Sequence, residues 1–526
     1  MKKIIIPVFL IVVGLSVYFL SQNKSQSDQN QRVFSFRLRT DPPTFDWSLA
    51  TDAVSIDVIE NIMDGLLQYD DNLEPIPAIA KSWDVSHDGK TFTFHLRNDV
   101  YWTDGKVVTA HDFEYSWKRF LNPKTAAEYA YFLYDVQGAE DYNQGVSKNA
   151  DTVAAKALDD FTFEVKLRNP ASFFLHIPVF MVAYPQRQDI IEKFGDQWTK
   201  PENIVTCGAY TLAQIDFKNK VVLKANPKYY EGKPALEEVH ALIIKSDHTA
   251  VDLFETQKLD VLRDIPPLTL DQYKNDPRFF KSPFLRGYYY GFNIKKKPFD
   301  DVRVRRAFAH SIDKTVFPDI LKGGQIPTNS WVPTGMMGHE PDVGLKFDLE
   351  KARKLLADAG YPEGKGLPHV EVHFDSRDLN KTVAEKLQQV WKQNLSVSVE
   401  LQNSEWKVYL KQVHIDSPQV WRMGWGADFP DPDNFLRLFT TNSGNNFTRW
   451  GSKEFDQLIL KAASSFNKEE RLKSYKRAQQ ILLEEDTVIV PLFVESLNYM
   501  IHPRVEKYWL NAMEKVSLKK VRLKKL

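Results

Sequence analysis

The sequence predicts an α/β chain of several domains, and three observations lead to that prediction. The chain has 526 residues, of which 43% are hydrophobic, so it is long enough to form several hydrophobic cores. In two stretches of the first half, apolar residues alternate with polar ones, which is typical of half-buried strands. In the second half, stretches of helical periodicity are each followed by an apolar run, which indicates helix-then-strand units.

The elements of the first half are two strands with a helix between them. Residues 90–97 and 160–168 are the predicted strands, and their alternating apolar residues are Phe92, Phe94 and Leu96 in one and Phe161, Phe163, Val165 and Leu167 in the other. Thr109 and Asp112 have the spacing of a capping box, which predicts that a helix begins there. One face of that helix carries Phe113, Trp117 and Phe120, and we interpret this apolar stripe as core.

The second half contains three predicted helices. The first is capped by Asp348, carries Ala352, Leu355 and Leu356, and ends before Gly360 and Pro362. The second is marked by Val383, Leu387, Val390 and Trp391 and precedes an alternating strand over residues 396–401. The third is marked by Leu472, Tyr475 and Leu482 and precedes an apolar strand over residues 487–494. No repeat of fixed period is present.

Charge and cysteine content exclude some classes of protein. The chain has 69 basic and 69 acidic residues, so it lacks the excess positive charge expected of a nucleic-acid-binding protein. Cys207 is the only cysteine, so no disulfide can form within the chain, and we interpret this residue as a small buried side chain.

The N-terminus predicts export. Lys2 and Lys3 precede an apolar run over residues 4–20, and a polar stretch over residues 21–31 follows, which is the order of regions in a secretory signal. The run of 17 residues is at the lower limit for a membrane span, and no clear cleavage site follows it. We therefore expect residues 1–31 to be a signal peptide. The alternative is that they are an uncleaved anchor to the inner membrane followed by a linker. The rest of the chain is expected in the periplasm.

The sequence contains no recognisable catalytic constellation, so we do not predict an enzyme. Nucleophile-elbow, zinc-protease and phosphate-loop motifs are absent. His369, Glu371 and His373 would lie on one face of a strand and could hold a metal. We favour a solvated strand face instead, because no supporting residues lie nearby in the sequence, and we expect no cofactor.

Residues 420–435 are the most informative stretch of the chain. They place one carboxylate, Asp428, after two tryptophans and two glycines, at the end of a strand-like run. Such a carboxylate could be a buried anchor for a ligand's ammonium group. The alternative is that Asp428 caps a turn before Pro430 and that the tryptophans belong to the core.

Twelve sequence blocks resemble, in order, the extracellular solute-binding proteins of the peptide and nickel family (family 5). They lie at residues 63–67, 77–83, 88–97, 102–105, 108–113, 122–125, 204–210, 226–234, 300–307, 359–362, 405–407 and 422–428. Within that family the chain is most similar to the periplasmic oligopeptide-binding proteins of ABC transporters, because Arg-Met-Gly-Trp-Gly-Ala-Asp at 422–428 closely follows their ligand motif.

The resemblance implies a two-lobed periplasmic binding protein fold, of the large, type II-like class with an extra inserted domain. Domain I is expected to combine residues 33–63, 187–285 and 496–526, and domain II is expected to be inserted at 64–186. Domain III, the second lobe, is expected at 286–495, with hinges near Leu285 and Ser496. The protein is expected to be a monomer that binds short peptides between the lobes and delivers them to a membrane permease.

The resemblance also implies roles for individual residues. Asp428 is expected to pair with the peptide's α-ammonium group, while the backbone of Met423, Gly424, Trp425 and Gly426 pairs with the peptide main chain as an added strand. Trp406, Trp425 and Tyr129 are expected to form pocket walls. Arg422, Lys322 and Asn380 match positions that meet the ligand's C-terminal carboxylate, but relatives commonly have His where this chain has Asn380.

Three hypotheses about function stay open at this point. The favoured one is an oligopeptide receptor of an ABC importer with little side-chain specificity. The second keeps the fold but changes the ligand to a dipeptide, a murein peptide, or a nickel or haem species. The third is an exported enzyme or folding factor.

Overall fold

The computed structural model describes residues 33–524 except 264 and 266, and it describes no side chain for 267, 268 and 407. The predicted signal segment, residues 1–31, lies outside the described residues. No helix in the described part of the chain has the length and apolar character required to cross a membrane.

The described residues form nineteen strands and fourteen α-helices. The strands are β1 Val33–Leu38, β2 Leu67–Tyr69, β3 Pro75–Pro77, β4 Ala80–Val85, β5 Thr91–Leu96, β6 Ala155–Asp159, β7 Thr162–Lys166, β8 Tyr210–Asp216, β9 Lys220–Ala225, β10 Glu238–Ile243, β11 Val261–Arg263, β12 Phe279–Phe292, β13 Ile326–Pro327, β14 Glu371–Asp375, β15 Glu400–Ser404, β16 Val420–Gly426, β17 Ile489–Ile501, β18 Val505–Lys507 and β19 Arg522–Leu523. The helices are α1 Ala53–Ile62, α2 Ala110–Leu121, α3 Ala139–Asn143, α4 Gln188–Phe194, α5 Asp247–Glu255, α6 Pro267–Tyr273, α7 Val302–His310, α8 Phe317–Leu321, α9 Leu349–Asp358, α10 Asp378–Leu395, α11 Trp406–Asp416, α12 Asp433–Leu436, α13 Lys453–Ser464 and α14 Lys468–Gln480.

The first lobe contains two four-stranded sheets. One has the order β1-β10-β9-β8, with β1 parallel to β10 and the other pairs antiparallel. The other is antiparallel, in the order β4-β5-β7-β6, and α2 packs against it through Trp117 and Phe163. The predicted strands are confirmed as β5 and β7, and the capping box of Thr109 and Asp112 is present. One hydrophobic core extends through both sheets.

The second lobe is built on a seven-stranded sheet. Its strand order is β11-β17-β12-β16-β14-β15, and β13 pairs with β17. One core, which includes Trp421 and Tyr475, contains side chains from one face of β12 and β16, and another, which includes Tyr288 and Trp391, contains side chains from the other face. Strands β14 and β15 are parallel and are joined by α10, which confirms the predicted α/β character of this half.

The predicted helices of the second half are α9, α10 and α14, and Asp348 caps α9 as expected. The strand predicted at 396–401 begins later, at Glu400. Ser396 ends α10 with φ 60°, and this left-handed turn must be completed before a strand can form. The strand predicted at 487–494 begins at Ile489 for the same reason, because Thr487 has φ 45°.

Strands β12 and β17 are long antiparallel strands of 14 and 13 residues that run between the lobes. The outer end of β17 pairs with β11 of the first lobe, while towards the other end β12 pairs with β16 and β17 pairs with β13. Their pairing is irregular between Pro283 and Gly287, opposite the stretch from Ser496 to Val494. This irregularity lies where the sequence places the two hinges, and the domain boundaries themselves stay a prediction.

Candidate functional site

Asp428 follows β16 directly, and Asn434 on α12 determines its position. The Asn434 side chain accepts from the Asp428 backbone N–H at 3.1 Å, and its Nδ2 donates to the Asp428 carboxylate at 3.2 Å. The same Asn434 oxygen also accepts from the Trp425 indole N–H at 3.0 Å. One buried amide therefore orients both the carboxylate and the neighbouring tryptophan.

Sequence reasoning did not assign Asn434 this role. The residues that could have indicated it are the run Asp-Pro-Asp-Asn-Phe at 431–435, which comes shortly after Asp428 in the sequence. The run forms the short helix α12 immediately after the Asp428 loop, and this helix brings the amide back towards β16.

The loop that carries Asp428 contacts both lobes. The ring of Phe429 stacks on Phe173 of the first lobe, with centroids 5.4 Å apart and planes inclined by 12°. Asp431 has no exposed surface, pairs with Arg471 of α14 and accepts a hydrogen bond from the Tyr475 hydroxyl at 3.3 Å. The residues that follow Asp428 thus have contacts in both lobes.

Burial raises the pKa of Asp428 to about 6, and the hydrogen bond from Asn434 only partly opposes this rise. Among the described residues, no lysine, arginine or histidine forms an ion pair with this carboxylate. A half-buried carboxylate without a cation is unfavourable in isolation, so the site favours a positively charged ligand group.

Asp428 faces an open cavity between the lobes. Ala427 and Asp428 are the contribution of the second lobe, and the first lobe and the C-terminal segment 509–519 form the remainder. The aromatic side chains in the walls are those of Tyr69, Tyr129, Phe180, Tyr184 and Trp509.

Two other carboxylates line this cavity, and each has a lysine nearby. Glu60 lies 3.7 Å from the Lys515 ammonium. Asp64 accepts hydrogen bonds from the hydroxyls of Tyr229 and Tyr230, at 2.6 and 2.9 Å, and feels the charge of Lys519. Burial raises the pKa of both carboxyl groups, while the lysines lower it. Asp428 differs from both, because no cation of the described residues compensates it.

Strand β16 has an unpaired edge beside Asp428. On one side, residues 420–426 pair with β12 in a continuous antiparallel register. On the other side, β14 pairs only with Val420 and Trp421. From Arg422 to Gly426, no other described strand occupies this second edge. The Arg422 carbonyl accepts a hydrogen bond from the Tyr409 hydroxyl at 2.5 Å, and the backbone from Met423 to Gly426 is available to another strand.

The structure brings some of the predicted site residues together and separates others. Tyr129 lines the cavity with Asp428, and its hydroxyl donates to the Thr51 carbonyl at 3.1 Å. Met423, Gly424, Trp425 and Gly426 all lie on the unpaired stretch of β16. Trp406 is 42% exposed on α11 and is not part of the cavity wall.

The three residues predicted to meet a C-terminal carboxylate lie in two places. Arg422 and Asn380 are in one fully buried cluster, in which both contact Asp375. Lys322 is half-exposed and lies 3.5 Å from Asp271 of α6. Their roles stay predictions.

The remaining candidates have ordinary structural partners. His373 contacts Glu371 at 3.0 Å, and His369 contacts Glu400 at 3.2 Å. In the described part of the chain, no three His, Cys, Asp or Glu side chains are arranged to hold a metal ion. Cys207 is buried, which raises the pKa of its thiol.

Comparisons with known proteins identify one family. Residues 74–447 match the family model of bacterial extracellular solute-binding proteins, family 5. The chain is 33% identical over 511 residues to the oligopeptide-binding protein OppA of Bacillus subtilis, covering 93% of each chain. It is 36% identical over 467 residues to the periplasmic oligopeptide-binding protein OppA of Salmonella typhimurium, covering 86% of this chain and 84% of the relative.

Solved structures of similar proteins have the same fold. The unliganded open form of the murein tripeptide-binding protein MppA matches with a TM-score of 0.86 and 28% identity, covering 94% of this chain and 97% of that one. The Haemophilus influenzae OppA complex with RPPGFSPFR matches with a TM-score of 0.71 and 30% identity, covering 94% and 99%. Another MppA structure, from Escherichia coli, reaches a TM-score of 0.73, with 28% identity and coverage of 94% and 99%. The arrangement of the lobes here is therefore more similar to the open form than to that structure.

Proposed function

The chain belongs to the bacterial extracellular solute-binding proteins of family 5, and from that membership we propose that it captures short oligopeptides between its two lobes and delivers them to the permease of an ABC importer. Members of this family are binding proteins, and we propose that this chain releases its ligand chemically unchanged. We further propose that it acts outside the cytoplasmic membrane as a monomer.

The uncompensated carboxylate of Asp428 is the observation that carries this proposal. A peptide that enters the cavity must give up the hydration of its α-ammonium group, which is costly unless an opposite charge replaces the lost water. Asp428 has that charge, lies at the cavity and has no cation among the described residues. The amino terminus of the peptide therefore binds beside Asp428 in our proposal.

The unpaired edge of β16 supports recognition of the peptide main chain. A peptide that runs along residues 422–426 pairs its amide groups with backbone groups of the strand, as an added strand does. Main-chain hydrogen bonds are independent of side-chain identity. Binding of this kind gives affinity with little sequence specificity, as a transport receptor for mixed peptides requires.

We propose that the lobes close over the peptide by bending β12 and β17. The irregular pairing between Pro283 and Gly287 supports bending there, because it interrupts the regular ladder between the two strands. Closure brings Asp428 and the wall around Tyr129 nearer to each other and removes water from the cavity.

A second candidate ligand class is a dipeptide or a murein peptide. The Escherichia coli murein peptide-binding protein MppA is 29% identical to this chain over 492 residues, and a dipeptide-binding protein of Bacillus subtilis, DppE, is 30% identical over 491 residues. The names of these two relatives favour this class over a metal or haem species.

Native mass spectrometry of the protein purified from peptide-rich medium tests the proposal. Retained masses that correspond to mixed peptides of two to five residues are the expected result. A single defined mass would favour the second candidate class instead. Retention of no peptide, from this medium or after incubation with a tri- and tetrapeptide library, would contradict the proposal.

A further inference from the structure

Arg422, which is predicted to bind the ligand's C-terminus, forms a buried ion pair within the protein. Arg422 Nη1 donates to Asp375 Oδ1 at 3.1 Å, and the two side chains are only 5% and 2% exposed. The guanidinium also lies over the Tyr288 ring, 4.3 Å from the ring centroid. Arg422 is therefore enclosed by its own neighbours on β12 and β14.

Asp375 accepts two further side-chain hydrogen bonds besides the one from Arg422. Its Oδ1 also accepts from Asn380 Nδ2 at 2.7 Å, and its Oδ2 accepts from Arg377 Nε at 2.8 Å. Asn380 in turn accepts from the Tyr288 hydroxyl at 3.0 Å. The positive charge of Arg422 is thus balanced by Asp375 within this cluster, while Arg422 Nε has no hydrogen-bond partner among the described residues.

A ligand carboxylate gains little from such an arginine. It would either approach a guanidinium whose charge is compensated, with Asp375 repelling it, or displace Asp375 and leave that carboxylate buried without a partner. Both are costly in a buried environment. Arg377 adds a cation at the edge of the cluster, but it is 59% exposed, so solvent screens it.

The other two positions predicted for this role do not offer a buried cation. Asn380 is neutral and fully buried. Lys322 is 53% exposed, so solvent screens its charge, and it shares Asp271 with Lys274. None of the three positions therefore offers a buried cation without a counter-charge.

We propose that Asp375 is a specificity-determining residue that neutralises Arg422, so that this protein binds peptides without recognising the charge of their C-terminus. Peptides with a free carboxylate, an amidated C-terminus or additional residues are then equivalent ligands. This inference rests on the proposed function, and it deepens it by defining the substrate class as peptides with a free amino terminus and any C-terminus.

Calorimetric titration with one tetrapeptide in three forms tests the inference: the free peptide, its C-terminal amide and its N-acetylated derivative. For the unmodified protein we expect dissociation constants of the free peptide and the amide to agree within about threefold, whereas acetylation weakens binding at least tenfold. A tenfold or greater preference for the free carboxylate would overturn the inference, whichever cation is responsible.

The variant Asp375→Asn sharpens this test. It uncovers Arg422, so the free peptide should now bind at least tenfold tighter than the amide, and equal binding of the two would overturn the inference. Removal of one partner of a buried ion pair can impair folding, so the double variant D375N/R422Q is tested as well, because it replaces both charged side chains of the pair. In this double variant the dissociation constants of the free peptide and the amide should again agree within about threefold, and a selective tenfold loss for the free carboxylate would contradict us.

Failure of this inference and failure of the proposed function give different results. If none of the three peptides binds the unmodified protein, the proposed function itself is wrong. If acetylation weakens binding but amidation weakens it tenfold as well, peptide capture stands and only the inference about Asp375 is wrong.

Discussion

Replacing Asp428 with Asn should weaken peptide binding strongly while making the ligand-free protein more stable. Asn keeps the shape of the side chain, and the hydrogen bonds between position 428 and Asn434 can persist. What disappears is the negative charge that the proposed function assigns to the ligand's ammonium group. The substitution therefore separates the charge of the site from its structure.

The magnitudes follow from the environment of the carboxylate. A pKa of about 6 in place of 3.8 corresponds to about 3 kcal/mol of unfavourable solvation of the charged form, since each pKa unit is worth about 1.4 kcal/mol. Because Asp428 faces an open cavity, we expect Asp428→Asn to recover about 1 to 3 kcal/mol of stability near neutral pH. Loss of the partner of a buried ammonium group should cost about 2 to 5 kcal/mol of binding free energy, roughly thirtyfold or more in affinity.

Two measurements on each protein provide the test. Denaturant unfolding gives the change in stability, and calorimetry with a tripeptide and its N-acetylated form gives the change in affinity. The unmodified protein should discriminate strongly between the two peptides, whereas Asp428→Asn should bind both with similar, weak affinity. Equal affinity of the variant and the unmodified protein for the free tripeptide would refute the assignment of Asp428.

Three further predictions follow from the same geometry. The first concerns pH: because the pKa of Asp428 is about 6, the ligand-free carboxyl group is mostly protonated below that pH. Peptide affinity, measured by calorimetry at pH 5, 6 and 7.5, should therefore fall as the pH drops through about 6, by up to tenfold per pH unit. The variant Asp428→Asn should show no such trend. The second is that Asn434→Ala, which removes the amide that orients the carboxylate, should weaken tripeptide binding about tenfold. The circular dichroism spectrum of this variant should match that of the unmodified protein. Unchanged affinity would show that this amide is dispensable. The third is that Phe429→Ala, which removes a buried ring stacked on Phe173, should lower the free energy of unfolding in urea by about 3 kcal/mol. The control Phe217→Ala, at a position 68% exposed, should change it by less than about 0.5 kcal/mol. Similar losses for both variants would contradict the contribution assigned to the buried ring.

Local patterns in the sequence predicted the elements of the fold well, because the period of apolar residues and the caps are local signals. The alternation at Phe92, Phe94 and Leu96 became β5, and the capping box at Thr109 became the start of α2. The end of α10 was harder to predict, because the left-handed conformation of Ser396 delays the following strand, and no glycine marks that turn.

The candidate site was only partly predictable, because its electrostatics depend on residues that are distant in the sequence. Asp428 was recognisable from its tryptophan and glycine neighbours, and it does line the cavity. Asp375 lies 47 residues from Arg422, and no local pattern indicates that these two side chains pair. The parallel pairing of β14 and β16 brings them together, so only the three-dimensional structure reveals that the arginine is neutralised.

The central claim is that Asp428 receives the positive amino terminus of a peptide held between the lobes. The most direct test is a crystal structure of the protein with a bound tetrapeptide. We predict that the ligand's α-nitrogen lies at hydrogen-bond distance, about 2.7 to 2.9 Å, from a carboxylate oxygen of Asp428, with the peptide paired along residues 422–426 of β16. A peptide bound in the opposite direction, or bound away from Asp428, would contradict the account.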